Sequence, residues 1–512
     1  MIARRWKKVA FYGGGACLVA SGLTLRARDY DINSLGLLRL GRAAFTAAKI
    51  ATHYKTKLYS SNLDPSSTEY NALRSEVHRE AAEMLLKLCC KNKGVYIKVG
   101  QHLASLDYLV PAEYIKVMKV LHSDAPKSSL KSVYKVLRED LKQEPSEIFE
   151  YFEEEPLGTA SLAQVHKARL KKDGSLVAVK VQHALVKNNS KADMRAMEIL
   201  VGVMSSIFEE FNFQWLVDET KLNLPKELDF INEAKNAEKV KELFCGLKWL
   251  KIPDVHWDLT TSRILTMEFE EGVQVTNINY INENKIDRMV LSSRLGELYS
   301  NMIFKYGFVH SDPHPGNILI KQNEDNKLDI VLLDHGLYAS LSEEFRWNYS
   351  KFWLSILNRD MAGMKENSKK LGIDDLYLVF ICMVTGRTLD AVVGGINKVK
   401  YSDAEKEQFV NSVPILLSKI GEILQTVNRE MLLILKTNDL LRGIEHSLSV
   451  HKRQPSFLIM TKCCVESIYE ERLRICQSTV KRCYLQVCKH WTILKLNLYY
   501  MFLNVKSKLA TE

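Results

Sequence analysis

Three polar residues stand at fixed intervals between apolar runs in the second half of the chain. Asp312 lies in VHSDPHPGNILI (309–320), Asn317 follows five positions later, and Asp334 lies in IVLLDHGLY (330–338). Asp and Asn at the ends of β-branched runs are commonly turn formers, because their side chains bond their own backbone. The spacing argues for more. An Asp, an Asn five positions on, a short hairpin and then Asp-x-Gly is the arrangement that kinase-type phosphoryl transfer requires. In that chemistry the first Asp orients the attacking group, and the Asn and second Asp hold the metal ions that bridge the nucleotide phosphates. Two oxygen donors suit Mg2+, whose remaining ligands are phosphates and water. His310, His314 and His335 lie in the same runs but lack the H-E-x-x-H spacing of a zinc-binding helix, and are expected to order the loops.

A phosphate-contacting cation is the next requirement. Lys180 closes the run VAVK, which follows the turn sequence KKDGS (171–175). Alone it reads as a solvated strand end; beside the Asp/Asn/Asp set it reads as the strand lysine that reaches the α- and β-phosphates. Such a lysine needs an acid from a nearby helix, and PKELDFINEAKNAEKV (225–240) offers Glu227, Asp229 and Glu233. On one continuous helix Asp229 and Glu233 share a face while Glu227 points elsewhere, which suggests two separate jobs.

The elements that must hold these residues can be read from periodicity. Residues 34–60 and 68–122 carry apolar residues at helical spacing. From 150 to 182 the pattern is that of strands joined by tight turns. Residues 190–210 and 226–244 return to helix, with Pro225 suited to the first turn of the second. A strand at 264–272 precedes helical sequence to 307, and 342–450 reads as helical. No internal repeat is visible. The layout is α+β: a small sheet-containing lobe, then a large helical one, with the metal ligands at the junction.

Composition bounds the rest. A chain of 512 residues with ordinary apolar and charged fractions can form a two-lobed folded body. The net charge of +10 is uneven: residues 1–28 hold six Lys/Arg and residues 472–510 hold eight, neither with an acid. The body between them is therefore slightly acidic, and no nucleic-acid partner is expected. The uncharged stretch 9–25, flanked by Arg and Lys, reads as a mitochondrial targeting segment or retained anchor. The ten cysteines form no C-x-x-C, so neither structural zinc nor a disulfide framework is expected. At the other end, residues 481–508 mix Lys and Arg with Trp491, Tyr499, Tyr500 and Phe502, a pattern that suits either a helix lying in the headgroup region of an anionic membrane or a terminal helix packed on the helical lobe.

Three motifs in order, KVGQ (98–101), ELDFINEAKNAEK (227–239) and HSDPHPGN (310–317), resemble the aarF/UbiB/Abc1 family of atypical kinase-like proteins over residues 30–450. The resemblance implies an atypical protein-kinase-like two-lobed fold with a helical N-terminal extension carrying the KxGQ motif. By position it pairs Lys180 with Glu233, and sets Lys98 and Gln101 near the nucleotide with Lys98 facing Glu227. It makes Asp312 the catalytic-loop Asp and Asn317 and Asp334 the metal ligands, with ATP and Mg2+ as cofactors. The expected divisions are 1–28 for targeting, 29–149 for the extension, 150–274 for the small lobe, 275–455 for the large lobe and 456–512 for a basic tail.

Departures from ordinary protein kinases matter as well. The glycine-rich phosphate loop is replaced by PLGTASLAQVHKA, in which Gly158, Thr159, Ala160 and Ser161 form the candidate phosphate turn. His310-Ser311-Asp312 lacks the arginine that would read an activation-loop phosphate, and helical sequence follows DHG almost at once. A small-molecule, lipid or quinone-like substrate, or ATP hydrolysis, is therefore expected ahead of a protein substrate. The implied setting is the mitochondrial inner membrane, with both termini at the membrane surface. The alternative is a catalytically weak switch or scaffold acting on inner-membrane protein partners that organise the cristae.

Overall fold

The computed structural model describes residues 35–104, 110–123, 126–208, 213–311, 314–385, 388, 392, 427–450 and 455–509. The stretch 9–25, expected to serve targeting, and Asp312 lie outside the described residues. The fold is α+β, as the sequence pattern implies, and divides into two units. The first comprises residues 1–234 and 254–269, the second 235–253 and 270–512.

The first unit opens with helices α1 (Gly36–His53), α2 (Thr68–Asn92) and α3 (Val95–Ala104). Ser67 caps α2 by accepting from the Tyr70 amide. The chain breaks between α2 and α3 at Lys93 and Gly94, both at positive φ. α3 carries the KxGQ motif, and Val95, Tyr96 and Ile97 bury it in a cluster with Leu88, Met118, Leu121 and Met194. Gly100 is fixed by packing, since a Cβ there would sit 2.5 Å from Leu121 Cδ1.

An antiparallel sheet follows, built from β1 (Phe149–Phe152), β2 (Gly158–Thr159), β3 (Ala163–Leu170), β4 (Leu176–Gln182) and β6 (Ile264–Glu268). Its order is β1-β3-β4-β6, with β2 paired to β3. Alternation decides what each face meets. Val177, Val179 and Val181 of β4 pack under α4 (Leu130–Leu141) through Val133, Val136 and Leu137. Lys180 therefore points to the other face, where Leu265, its register partner, packs on Phe230 and Ala234.

Helices α5 (Val186–Ile207), α6 (Gln214–Glu227) and α7 (Phe230–Leu243) come next. Two expectations are corrected here. Pro225 lies inside the last turn of α6 and does not open a helix. Residues 226–244 are not one helix, because α6 ends at Glu227 and α7 begins at Phe230; Asp229 stands at the start of α7, where its carboxylate accepts from the Ile231 amide at 3.2 Å and its carbonyl from the Glu233 amide at 3.4 Å. Having no N–H, Pro225 forfeits one intrahelical bond there, and α6 runs only two residues beyond it.

In the second unit β5 (Leu250–Lys251), β7 (Val273–Gln274), β9 (Ile318–Gln322) and β10 (Leu328–Leu332) form a sheet in the order β5-β10-β9-β7. β8 (Phe308–His310) pairs with β11 (Tyr338–Ser340). Every residue of β10 is buried. Around them stand α8 (Arg288–Ser300), α9 (Glu343–Asn358), α10 (Arg429–Ser447), α11 (Pro455–Ile475) and α12 (Thr479–Leu509). Their core includes the stacked rings of Phe304 and Tyr349, 5.5 Å apart, and of Phe352 and Phe380, 5.1 Å apart.

Candidate functional site

In the first unit the strand alternation that turns Lys180 away from α4 brings it to Glu233. The ammonium donates to Glu233 Oε1 at 2.6 Å and lies 5.3 Å from the Phe230 ring centroid. Both side chains are nearly buried, and each charge helps to compensate the other. Two residues along the same strand face, Gln182 donates from Nε2 to the Leu228 carbonyl at 3.3 Å, tying β4 to the junction between α6 and α7. Glu227, at the end of α6, meets Lys98 of the KxGQ helix at 2.8 Å, again with both side chains almost buried. Gln101, one turn beyond Lys98, donates to the Leu121 carbonyl at 2.8 Å. Two Lys–Glu pairs thus flank one short break in the chain.

The candidate phosphate turn spans β2 and the step into β3. Gly158 pairs with Val165 and Thr159 with Gln164, and the Ala160 amide donates to the Ala163 carbonyl at 2.8 Å. Ser161 is buried, and a Cβ on Gly158 would meet nothing within 4 Å, so space is open on that side of the loop. His183 holds the turn from beneath. Its Nε2 lies 3.2 Å from the Ala160 carbonyl and its Nδ1 2.7 Å from Ser128 Oγ. A carbonyl only accepts, so Nε2 carries the proton and Nδ1 accepts from the serine.

Burial pushes the His183 pKa down to about 4, and the Ala160 carbonyl only partly offsets this. The unfolded imidazole takes a proton near its ordinary value of about 6.5 while the folded one does not, so stability is full above that pH and is lost as pH falls toward 4. Wild type should lose about 2 kcal/mol between about pH 7 and about pH 5 through this residue. Urea unfolding of the His183→Asn variant should show a correspondingly flatter pH profile. Equal profiles would sink the assignment.

In the second unit the β9–β10 hairpin sets Asn317 and Asp334 side by side. Ile318 pairs with Leu332, and the Leu333 amide donates to the Asn317 carbonyl at 2.9 Å. Asp334 sits at φ +52°, a left-handed conformation that Asp and Asn tolerate, and its Oδ1 accepts from the Gly336 amide at 3.0 Å. His310 Nε2 lies 2.7 Å from the Asp334 carbonyl. His335 reaches the Leu332 carbonyl and the Tyr338 hydroxyl, and His314 Nδ1 accepts from the Gly316 amide at 3.0 Å. Asn236 Nδ2 donates to the His335 carbonyl at 2.9 Å, a second clamp on the Asp-His-Gly turn.

Gln182, His183 and Asn236 were not singled out from sequence. Two of them carried a signal: Gln182 is two residues from Lys180 on a strand, and Asn236 three from Glu233 on a helix, the spacings that share a face. His183 carried none, because its partner Ser128 is 55 residues away.

An amide oxygen and a carboxylate on neighbouring backbone form a donor set of the hard type that Mg2+ takes, so Asn317 and Asp334 fit that ion. Among the described residues no cluster of three or more His, Cys, Asp or Glu could hold a metal by itself.

Comparison with known proteins shows the family. The ABC1 atypical kinase-like domain matches residues 120–368. AarF domain-containing kinase 1 of Drosophila melanogaster is 52% identical over 503 residues, covering 98% of this chain and 97% of that protein. AarF domain-containing protein kinase 1 of Mus musculus is 47% identical over 508 residues, covering 99% and 96%. The solved complex of Rv3197 with erythromycin from Mycobacterium tuberculosis is a looser likeness, with a TM-score of 0.48 at 21% identity over 76% of this chain and 99% of that one. With relatives this similar along nearly its whole length, the chain belongs to the ABC1, or aarF, family of atypical kinase-like proteins.

Proposed function

We propose that this protein binds ATP with Mg2+ and transfers a phosphoryl group to a small-molecule or lipid substrate, or to water. The observation that carries the reading is the buried Lys180–Glu233 pair, since a fixed strand lysine is what the nucleotide phosphates need. Asn317 and Asp334 would hold Mg2+, which neutralises charge between the β- and γ-phosphates. Gly158 to Ser161 would form the turn beside the phosphates, with Lys98, Gln101 and Glu227 bordering the nucleotide. Asp312 would accept the proton of the attacking hydroxyl as its oxygen bonds to the γ-phosphorus and ADP departs.

A non-protein acceptor is favoured because only six residues, 337–342, separate Gly336 from α9, and half of them are tied into β11 against β8. The protein would act in mitochondria at the inner membrane, touching its surface through both termini. A second reading, a nucleotide-dependent switch for protein partners that organise the inner membrane, is favoured by the Lys98–Glu227 pair, which ties the KxGQ lysine to the end of α6.

Asp312→Asn separates the two. If the protein is an enzyme, ADP release should fall at least about 100-fold, while the thermal shift produced by Mg2+-ATP is kept. Equal turnover in both forms would remove Asp312 from the chemistry. Binding without turnover in either form would put the switch first.

A further inference from the structure

The last helix, α12, packs along α11: the Tyr469 hydroxyl lies 3.3 Å from Thr492 Oγ1, and Lys489 donates to Glu470 at 3.3 Å. Leu485, Cys488, Lys489, Thr492, Ile493 and Leu496 form the partly covered side. The opposite side is bare. Val480, Tyr484, Val487, Trp491, Leu494 and Leu498 are between 46% and 81% exposed. Steps of four and three residues place all six on one stripe, about 27 Å long at the rise of an α-helix.

Charge indicates what covers it. From 479 to 509 the sequence holds Lys481, Arg482, Lys489, Lys495, Lys506 and Lys508 and no acid. Lys481, Arg482 and Lys495 are exposed, and Lys495 Nζ stands 5.3 Å from the Trp491 ring centroid at the edge of the stripe. We propose that this stripe docks on an anionic phospholipid bilayer, with α12 lying in the plane of the headgroups. The inference rests on the membrane-surface reading above and names the face that makes contact.

The same spacing would suit the seam of a helix pair, but a second copy would bring two basic helices together with no acid from either to neutralise them. A bilayer satisfies every part at once. The apolar stripe enters the acyl boundary, Trp491 and Tyr484 take the interfacial level that aromatic rings prefer, and the lysine stems reach to the phosphates. No described helix is long and apolar enough to cross a membrane, in keeping with an in-plane arrangement for α12.

Co-sedimentation of the full chain with vesicles of phosphatidylcholine, alone or mixed with phosphatidylglycerol, tests this. Wild type should bind the mixed vesicles and release from them in high salt. Val487→Asp/Trp491→Asp should weaken binding at least about tenfold. Lys481→Glu/Lys495→Glu should abolish the preference for phosphatidylglycerol. All four side chains are exposed, so both variants should keep the wild-type melting temperature. Wild-type binding by Val487→Asp/Trp491→Asp would overturn this face while leaving membrane contact elsewhere intact. No binding by any form would overturn the membrane reading with it. A dimer that Val487→Asp/Trp491→Asp dissociates, without vesicle binding, would replace the bilayer with a second copy.

Discussion

Glu233→Ala should destabilise the protein by about 1–3 kcal/mol, because it removes the 2.6 Å partner of a nearly buried ammonium on a central strand. The Lys180 side chain cannot turn freely toward water, since β4 lies between β3 and β6 and Leu265 and Phe230 fill the same face. The Phe230 ring 5.3 Å from the ammonium remains as a weak partner, which places the expected loss toward the lower end of the range. Lys180→Met/Glu233→Leu should recover most of the lost stability, because a buried ion pair contributes little net when an apolar pair of similar volume can replace it. Mg2+-ATP should then leave the melting temperature of the double variant unchanged. Urea midpoints of the wild type, both single variants and the double variant supply the measurement. A loss below about 1 kcal/mol in Glu233→Ala would mean that the pair is solvated and that Lys180 is not held in place.

Asp334→Asn should abolish the stabilisation that Mg2+ and ATP confer together. At 100 times its dissociation constant a ligand adds about 2.7 kcal/mol, so the wild-type shift is large enough to follow by thermal unfolding. Asparagine is the informative replacement here. It tolerates φ +52° and keeps an oxygen for the Gly336 amide, so the ligand-free variant should unfold close to wild type. Alanine would add backbone strain and remove the bond to the Gly336 amide, which would confuse a lost ligand with a damaged fold. A Mg2+-dependent shift that survives in Asp334→Asn would move the metal away from this residue.

Much of the fold was legible because it rests on local rules. The strand at 176–182 shows in its β-branched run and the turn that precedes it, and the helix carrying KVGQ in its apolar spacing. That Asn317 and Asp334 lie on neighbouring backbone was legible for a similar reason, since only a short hairpin separates them in the chain. Pro225 misled because proline is most at home in the first turn of a helix, whereas here it lies in the last turn of α6.

The sequence by itself determined the family, the α+β class and the chemical character of each candidate group, since these follow from residue type and short-range spacing. Tertiary structure alone decided the partnerships. Lys98 meets Glu227 across 129 positions, Ser128 reaches His183 across 55, and Asn236 finds the His335 carbonyl across 99. Such contacts depend on how helices cross and how a sheet alternates, and no window of sequence contains both partners. The bare stripe of α12 shows the same division from the other side. Its four-and-three spacing is written in the chain, but that α11 covers one side and leaves the other open follows only from the packing of the two helices.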